Sequence, residues 1–123
     1  FIVAHSMGYA YALGIMDEMK NRIHFGGFYI LAPENASAGK VNESDWQEVW
    51  QYGAQLYGKN RNAPCEQDGV AAQVGVKGLN PNHRAYFPKQ ERAKMGYFKS
   101  HFVGYYTWIF SIPKGEPGYI RQR

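Results

Sequence analysis

Residues 1–15 read FIVAHSMGYAYALGI, and the turn inside this stretch decides the fold. Phe1 to Ala4 is a short apolar run with β-branched Ile2 and Val3, the pattern of a buried strand in a parallel sheet. From Gly8 the period changes. Ala10, Leu13, Met16, Met19 and Ile23 recur at three- and four-residue steps, with Asp17, Glu18, Lys20, Asn21 and Arg22 between them, so an amphipathic helix is expected. Ser6 falls where strand becomes helix, and the small Gly8 and Ala10 are expected where the helix passes close to the strand. A serine held in such a turn projects its hydroxyl toward the space at which the first helical N–H groups point, where the helix dipole favours an anion. A serine that merely caps a helix after a buried strand would read similarly.

The segment Ala4-His5-Ser6-Met7-Gly8 resembles the nucleophile elbow G-x-S-x-G of the α/β-hydrolase family, with alanine in place of the first glycine. The resemblance implies an α/β fold, with a mostly parallel sheet and flanking helices, and ester hydrolysis of the lipase or esterase type at Ser6. An intact member of that family is longer, and its elbow lies mid-fold. By resemblance, then, residues 1–112 are the C-terminal half of such a domain, whose N-terminal half would precede Phe1. Residues 113–123 are a Pro- and Gly-rich tail expected to fray. A chain cut there would lose the strands beside its first strand. The 123 residues alone are therefore expected to aggregate or fold only partly, and to hydrolyse simple esters poorly.

Further along, Gly26-Gly27 reads as a turn, Phe28 to Ala32 as a buried strand ended by Pro33, and Glu34 to Lys40 as a polar loop. Ser44-Asp45-Trp46-Gln47-Glu48 has the look of a capped helix start. Val49, Trp50, Tyr52 and Leu56 suit a strand instead, and the resemblance favours a strand through Val49–Gly53. Breakers between Gly58 and Cys65 lead to Gln67-Asp68-Gly69-Val70. Arg84 to Phe87 is a short strand closed by Pro88, and Lys89 to Tyr97 a helical turn. Ser100 to Ile112, containing FVGYYTWIF, is expected to form the final helix, although Gly104 and the β-branched residues also permit a strand.

A serine hydroxyl needs a general base within hydrogen-bond reach, and that base needs a carboxylate to hold its tautomer. In the hydrolase family the chain order is serine, acid, histidine. Ser6, Asp68 and His101 stand in that order, each after a candidate strand. Asp68-Gly69-Val70 is similar to the acid loop of many lipases, and it is also an ordinary Asp-Gly turn. Glu34, which follows the second strand, is the rival acid, and Asp45 a third. His101 lies beyond the last strand candidate, where the family carries its base, and histidine is the side chain suited to proton transfer near neutral pH. His83 precedes that strand and is expected at the wrong sheet edge. His24 and His5 come too early, and His5 is expected to pack against the elbow and orient it. The resemblance makes the Met7 N–H an oxyanion donor, with a second donor on a loop upstream.

Composition narrows the alternatives. The 123 residues carry 14 basic and 10 acidic side chains. These are scattered apart from Lys89, Arg92 and Lys94 and the terminal Arg121-Gln122-Arg123, so there is no basic stripe to suggest a nucleic-acid partner. The one cysteine, Cys65, excludes an internal disulfide and has no metal-ligand partner at useful spacing. Without H-E-x-x-H, paired cysteines, G-x-G-x-x-G or a P-loop, no metal or cofactor is expected. No apolar run approaches transmembrane length. Ten tyrosines, seven phenylalanines and three tryptophans are unusually many, and Trp46, Trp50 and the C-terminal aromatics either line an acyl or lipid pocket or form core. The expected function is a serine hydrolase acting on a small-molecule or lipid ester. The alternatives are a non-catalytic interaction module on the same scaffold, or a lipase-type domain of a secreted effector.

Overall fold

A computed structural model of the chain describes residues 1–34, 36–37, 39–53, 68, 70–71, 74–88, 91 and 98–121. Four strands form one sheet: β1 (Ile2–His5), β2 (Phe25–Leu31), β3 (Trp46–Gly53) and β4 (Arg84–Tyr86). They lie in sequence order, β1-β2-β3-β4, and every pairing is parallel. The helix α1 (Gly8–Met19) makes the crossover from β1 to β2. The architecture is thus α/β, with a parallel sheet that sends all its strand C-termini to one edge.

Both faces of the sheet are covered. Alternate residues of β2 point opposite ways, so Phe28 and Ile30 pack with Ala4, Tyr9, Ala12 and Met16 beneath α1. Tyr29 and Leu31 pack on the other face with Tyr52, Phe87, Tyr106, Trp108 and Ile109. Near-continuous burial along β2 follows from this double cover. Gly26-Gly27 lies inside β2 and is not a turn. Gly27 is bare because a Cβ there would stand 2.2 Å from the Tyr29 hydroxyl, which reaches back to donate to Glu48 at 2.8 Å.

The inward stripe of α1 is Tyr9, Ala12 and Met16, with Leu13 and Met19 half-buried; Ala10 is exposed, and Ile23 lies beyond the helix. The expected stripe thus began one residue late. Tyr9 takes the place given to Ala10 and stacks on Phe28 with ring centroids 6.3 Å apart. Nor does Gly8 make room for the strand, since a Cβ at that position would meet open space.

The Ser44–Tyr57 ambiguity resolves into both readings in miniature. A 3-10 turn occupies Glu43–Asp45, and β3 begins at Trp46, three residues before the expected start. Parallel pairing of Trp46 with Phe25 extends the strand, and their rings stack at 4.6 Å. Trp46 is therefore core, and Trp50 packs near His83.

The final helix is not formed. Lys99–His101, Val103–Tyr105 and Thr107–Ser111 are three separate 3-10 segments. Phe102 between the first two is extended, at φ −78° and ψ 131°. Gly104 and the β-branched and aromatic residues around it are poor helix formers. The short segments instead turn Tyr106, Trp108 and Ile109 onto the sheet.

The tail does not fray over its described part. Ile120 is buried, the Tyr52 hydroxyl donates to the Gly118 carbonyl at 2.6 Å, and the Arg121 N–H reaches the buried Glu48 carboxylate at 3.0 Å. Gly118 adopts φ 88°, and a Cβ there would press within 2.6 Å of Ala85. The helical turn expected at Lys89–Tyr97 lies outside the described residues, Glu91 excepted. Cys65 and the breaker-rich loop before Asp68 also lie outside them.

Candidate active site

β1 ends at His5, and Ser6 carries the chain into α1 through a backbone conformation with φ 56°. Such a conformation is costly for a residue with a Cβ, and it persists only where the surroundings hold it. Here they do. The Ser6 N–H donates to the Leu31 carbonyl at 3.1 Å, and the Ser6 carbonyl accepts from Tyr9 at 3.2 Å and Glu34 at 3.1 Å. The sharp turn leaves the hydroxyl at the C-terminal edge of the sheet and at the start of α1. No acidic side chain occupies the first turn of that helix. Among the described residues the Met7 N–H has no hydrogen-bond partner, which leaves a donor free at the start of α1, next to Ser6.

His101, at the end of the 3-10 segment Lys99–His101, closes on Ser6. Its Nε2 lies 2.8 Å from Ser6 Oγ, and its Nδ1 lies 2.7 Å from Asp68 Oδ2. Asp68 is buried, and its other oxygen, Oδ1, accepts from the N–H groups of Val70 at 2.7 Å and Ala71 at 2.9 Å. The two backbone donors fix the carboxylate, so Oδ2 is the oxygen presented to the ring. An ionised carboxylate only accepts, so Nδ1 carries the ring proton and Nε2 is left to accept from the serine. This chain of hydrogen bonds can draw the proton off a serine hydroxyl as that oxygen attacks an electrophile, and can stabilise the imidazolium that results.

His101 is itself tied down. The Tyr106 hydroxyl donates to the Ser100 carbonyl at 3.0 Å. The His101 main-chain carbonyl accepts from His5 Nε2, and the two imidazole rings lie 5.2 Å apart. His5 thus does more than pack against the elbow, because it links the strand before Ser6 to the segment that bears His101. No local sequence signal marks a contact across 96 positions.

The remaining candidates fall elsewhere. His83 sits in a 3-10 turn before β4 and pairs through Nδ1 with Glu43. His24 is exposed and pairs with Gln47 at 2.7 Å. Asp45 lies at the N-terminal end of β3, the opposite end from Ser6. Glu34 does reach the site, on the other side of the ring from Asp68, with Oε1 4.0 Å from His101 Nε2. Tyr9, three residues after Ser6, is fully buried, and burial pushes its phenol up to about 12.

An apolar cavity of about 290 Å³ lies between β1 and the segment that follows His101, and none of Ser6, Asp68 and His101 lines it. Its walls include Val3, Leu31, Val103, Tyr106 and Phe110, so part of the C-terminal aromatic segment does line a pocket. Leu31 is the sheet partner of His5, and Val103 follows His101 by two residues. Among the described residues no cluster of His, Cys, Asp or Glu could hold a metal ion, and no helix is long and apolar enough to cross a membrane. No family model, curated protein or solved structure matches the chain.

Proposed function

We propose that this chain carries the nucleophile, base and acid of a serine hydrolase acting on carboxylic esters. The observation that carries the reading is the continuous run Ser6 Oγ–His101 Nε2, 2.8 Å, and His101 Nδ1–Asp68 Oδ2, 2.7 Å, at a positive-φ strand-to-helix turn. Ser6 Oγ attacks the ester carbonyl carbon while His101 Nε2 takes its proton. The carbonyl π pair moves onto oxygen, and the Met7 N–H at the start of α1 stabilises that oxyanion. Collapse of the tetrahedral adduct expels the alcohol oxygen, which leaves with the proton from Nε2. Water then attacks the acyl-serine by the same base, releasing the acid and restoring Ser6. Asp68 stays ionised and holds the imidazole throughout.

The cavity lined by β1 and the segment after His101 supports an apolar acyl group over a polar one, because its walls are mostly aliphatic and aromatic. The elbow resemblance of Ala4–Gly8 points the same way. Hydrolysis of p-nitrophenyl butyrate by the protein and by its Ser6→Ala variant tests the reading. Loss of at least about 10³-fold in kcat/KM, with folding unchanged, is expected. Equal rates in the two proteins would remove Ser6 from the chemistry. A correctly folded protein with no ester hydrolysis would favour an interaction module on the same scaffold.

A further inference from the structure

Glu34 is not used by the triad, yet the fold goes to some length to bring it there. β2 ends at Leu31, and Ala32 follows at φ 42°, one of only two non-glycine residues with positive φ among the described residues; Ser6 is the other. The strained turn carries Pro33 and Glu34 across the end of β1, where the Glu34 N–H bonds the Ser6 carbonyl at 3.1 Å. Its carboxylate then stands 4.0 Å from His101 Nε2 with 27% of the side chain exposed. Among the described residues, no other group hydrogen-bonds or pairs with that carboxylate. A partly covered carboxylate with no hydrogen-bond donor among the described residues favours a cation beside it.

We propose that Glu34 selects esters whose alcohol carries a positive charge a few bonds from the ester oxygen. This rests on the hydrolase reading above. His101 Nε2 returns its proton to the leaving oxygen, so that oxygen must come within about 3 Å of Nε2. Glu34 Oε1 is 4.0 Å from the same nitrogen. An ammonium group two carbons beyond the leaving oxygen can therefore reach the carboxylate. The alcohol side of the substrate then lies toward Glu34, and the acyl side away from it. An anionic alcohol meets repulsion at the same place.

The test compares acetylcholine with its uncharged isostere 3,3-dimethylbutyl acetate, which has nearly the same shape. The protein is expected to show a kcat/KM ratio favouring the cationic ester by about tenfold at low salt, shrinking as salt is raised. Glu34→Gln brings the ratio to about one, and Glu34→Lys brings it below one. Circular dichroism checks that each variant folds. A ratio of one in the unmodified protein, or a ratio unchanged by Glu34→Gln, overturns the selection while leaving the hydrolase reading standing. Absence of Ser6-dependent turnover of either ester overturns both.

Discussion

Asp68 Oδ2 lies 2.7 Å from His101 Nδ1, and the Asp68 side chain is closed to solvent. The same carboxylate caps the turn that follows it through Val70 and Ala71. Its two oxygens therefore separate structure from chemistry. Asp68→Asn is expected to keep the turn, since an amide oxygen can accept from both N–H groups. It loses the charge that fixes the imidazole tautomer, so kcat should fall by about 10³–10⁴-fold. Ester kinetics together with a thermal melt check this, and the melt should move little.

His5 is expected to act as a positioning residue. Its Nε2–H holds the His101 carbonyl, and small displacements of a base can cost up to about 100-fold. His5→Phe should lower kcat by about 10–100-fold with KM nearly unchanged. His5→Gln, which retains an N–H donor, should recover part of the loss. Equal loss in both variants, or a loss confined to KM, would show that His5 serves packing alone.

Alkaline pH should destabilise the fold through Tyr9 and Tyr52. Burial holds both phenols neutral, with Tyr9 pushed up to about 12 and Tyr52 pushed further, aided by the nearby Glu48 charge. In the unfolded chain a tyrosine ionises near about 10. The folded pKa lies above the unfolded one, so stability is fully present below about pH 10 and falls as pH rises beyond it. Thermal melts from pH 8 to 12 check the slope. Tyr52→Phe leaves the Gly118 carbonyl without its 2.6 Å donor, which should cost about 1–3 kcal/mol at neutral pH and flatten the alkaline fall.

Tyr9→Phe has the opposite expectation at neutral pH. The Tyr9 hydroxyl is buried with no hydrogen-bond partner among the described residues. Removing it keeps the ring stacked on Phe28 and deletes an unsatisfied polar atom. Denaturant unfolding should show equal or higher stability. A loss above about 1 kcal/mol would mean that the hydroxyl is satisfied in solution.

The strand-turn-helix at Ser6 was legible because its signals are local: a β-branched run, then a change of period, within fifteen residues. The meeting of Asp68 and His101 with Ser6 was legible from residue type and chain order, which required the family resemblance as well as the pattern. The phase of α1 was not, because the turn geometry, rather than composition, puts Tyr9 inward instead of Ala10. The aromatic run after His101 has no helical period, and its burial comes from three 3-10 segments folding onto the sheet. Glu34 was visible as a carboxylate after a strand, but its approach to His101 depends on the positive φ of Ala32, which sequence gives no reason to expect. The contact of His5 with the His101 carbonyl is wholly tertiary.

If Ser6 is a nucleophile activated by His101, a fluorophosphonate will label it covalently. The protein is treated with the probe, digested, and the labelled peptide is located by mass spectrometry. One phosphonyl group is expected on Ser6, none in Ser6→Ala, and labelling slowed by about 10³-fold or more in His101→Ala. A folded protein that takes no label, or takes it at another residue with Ser6 unmodified, would contradict this role of Ser6.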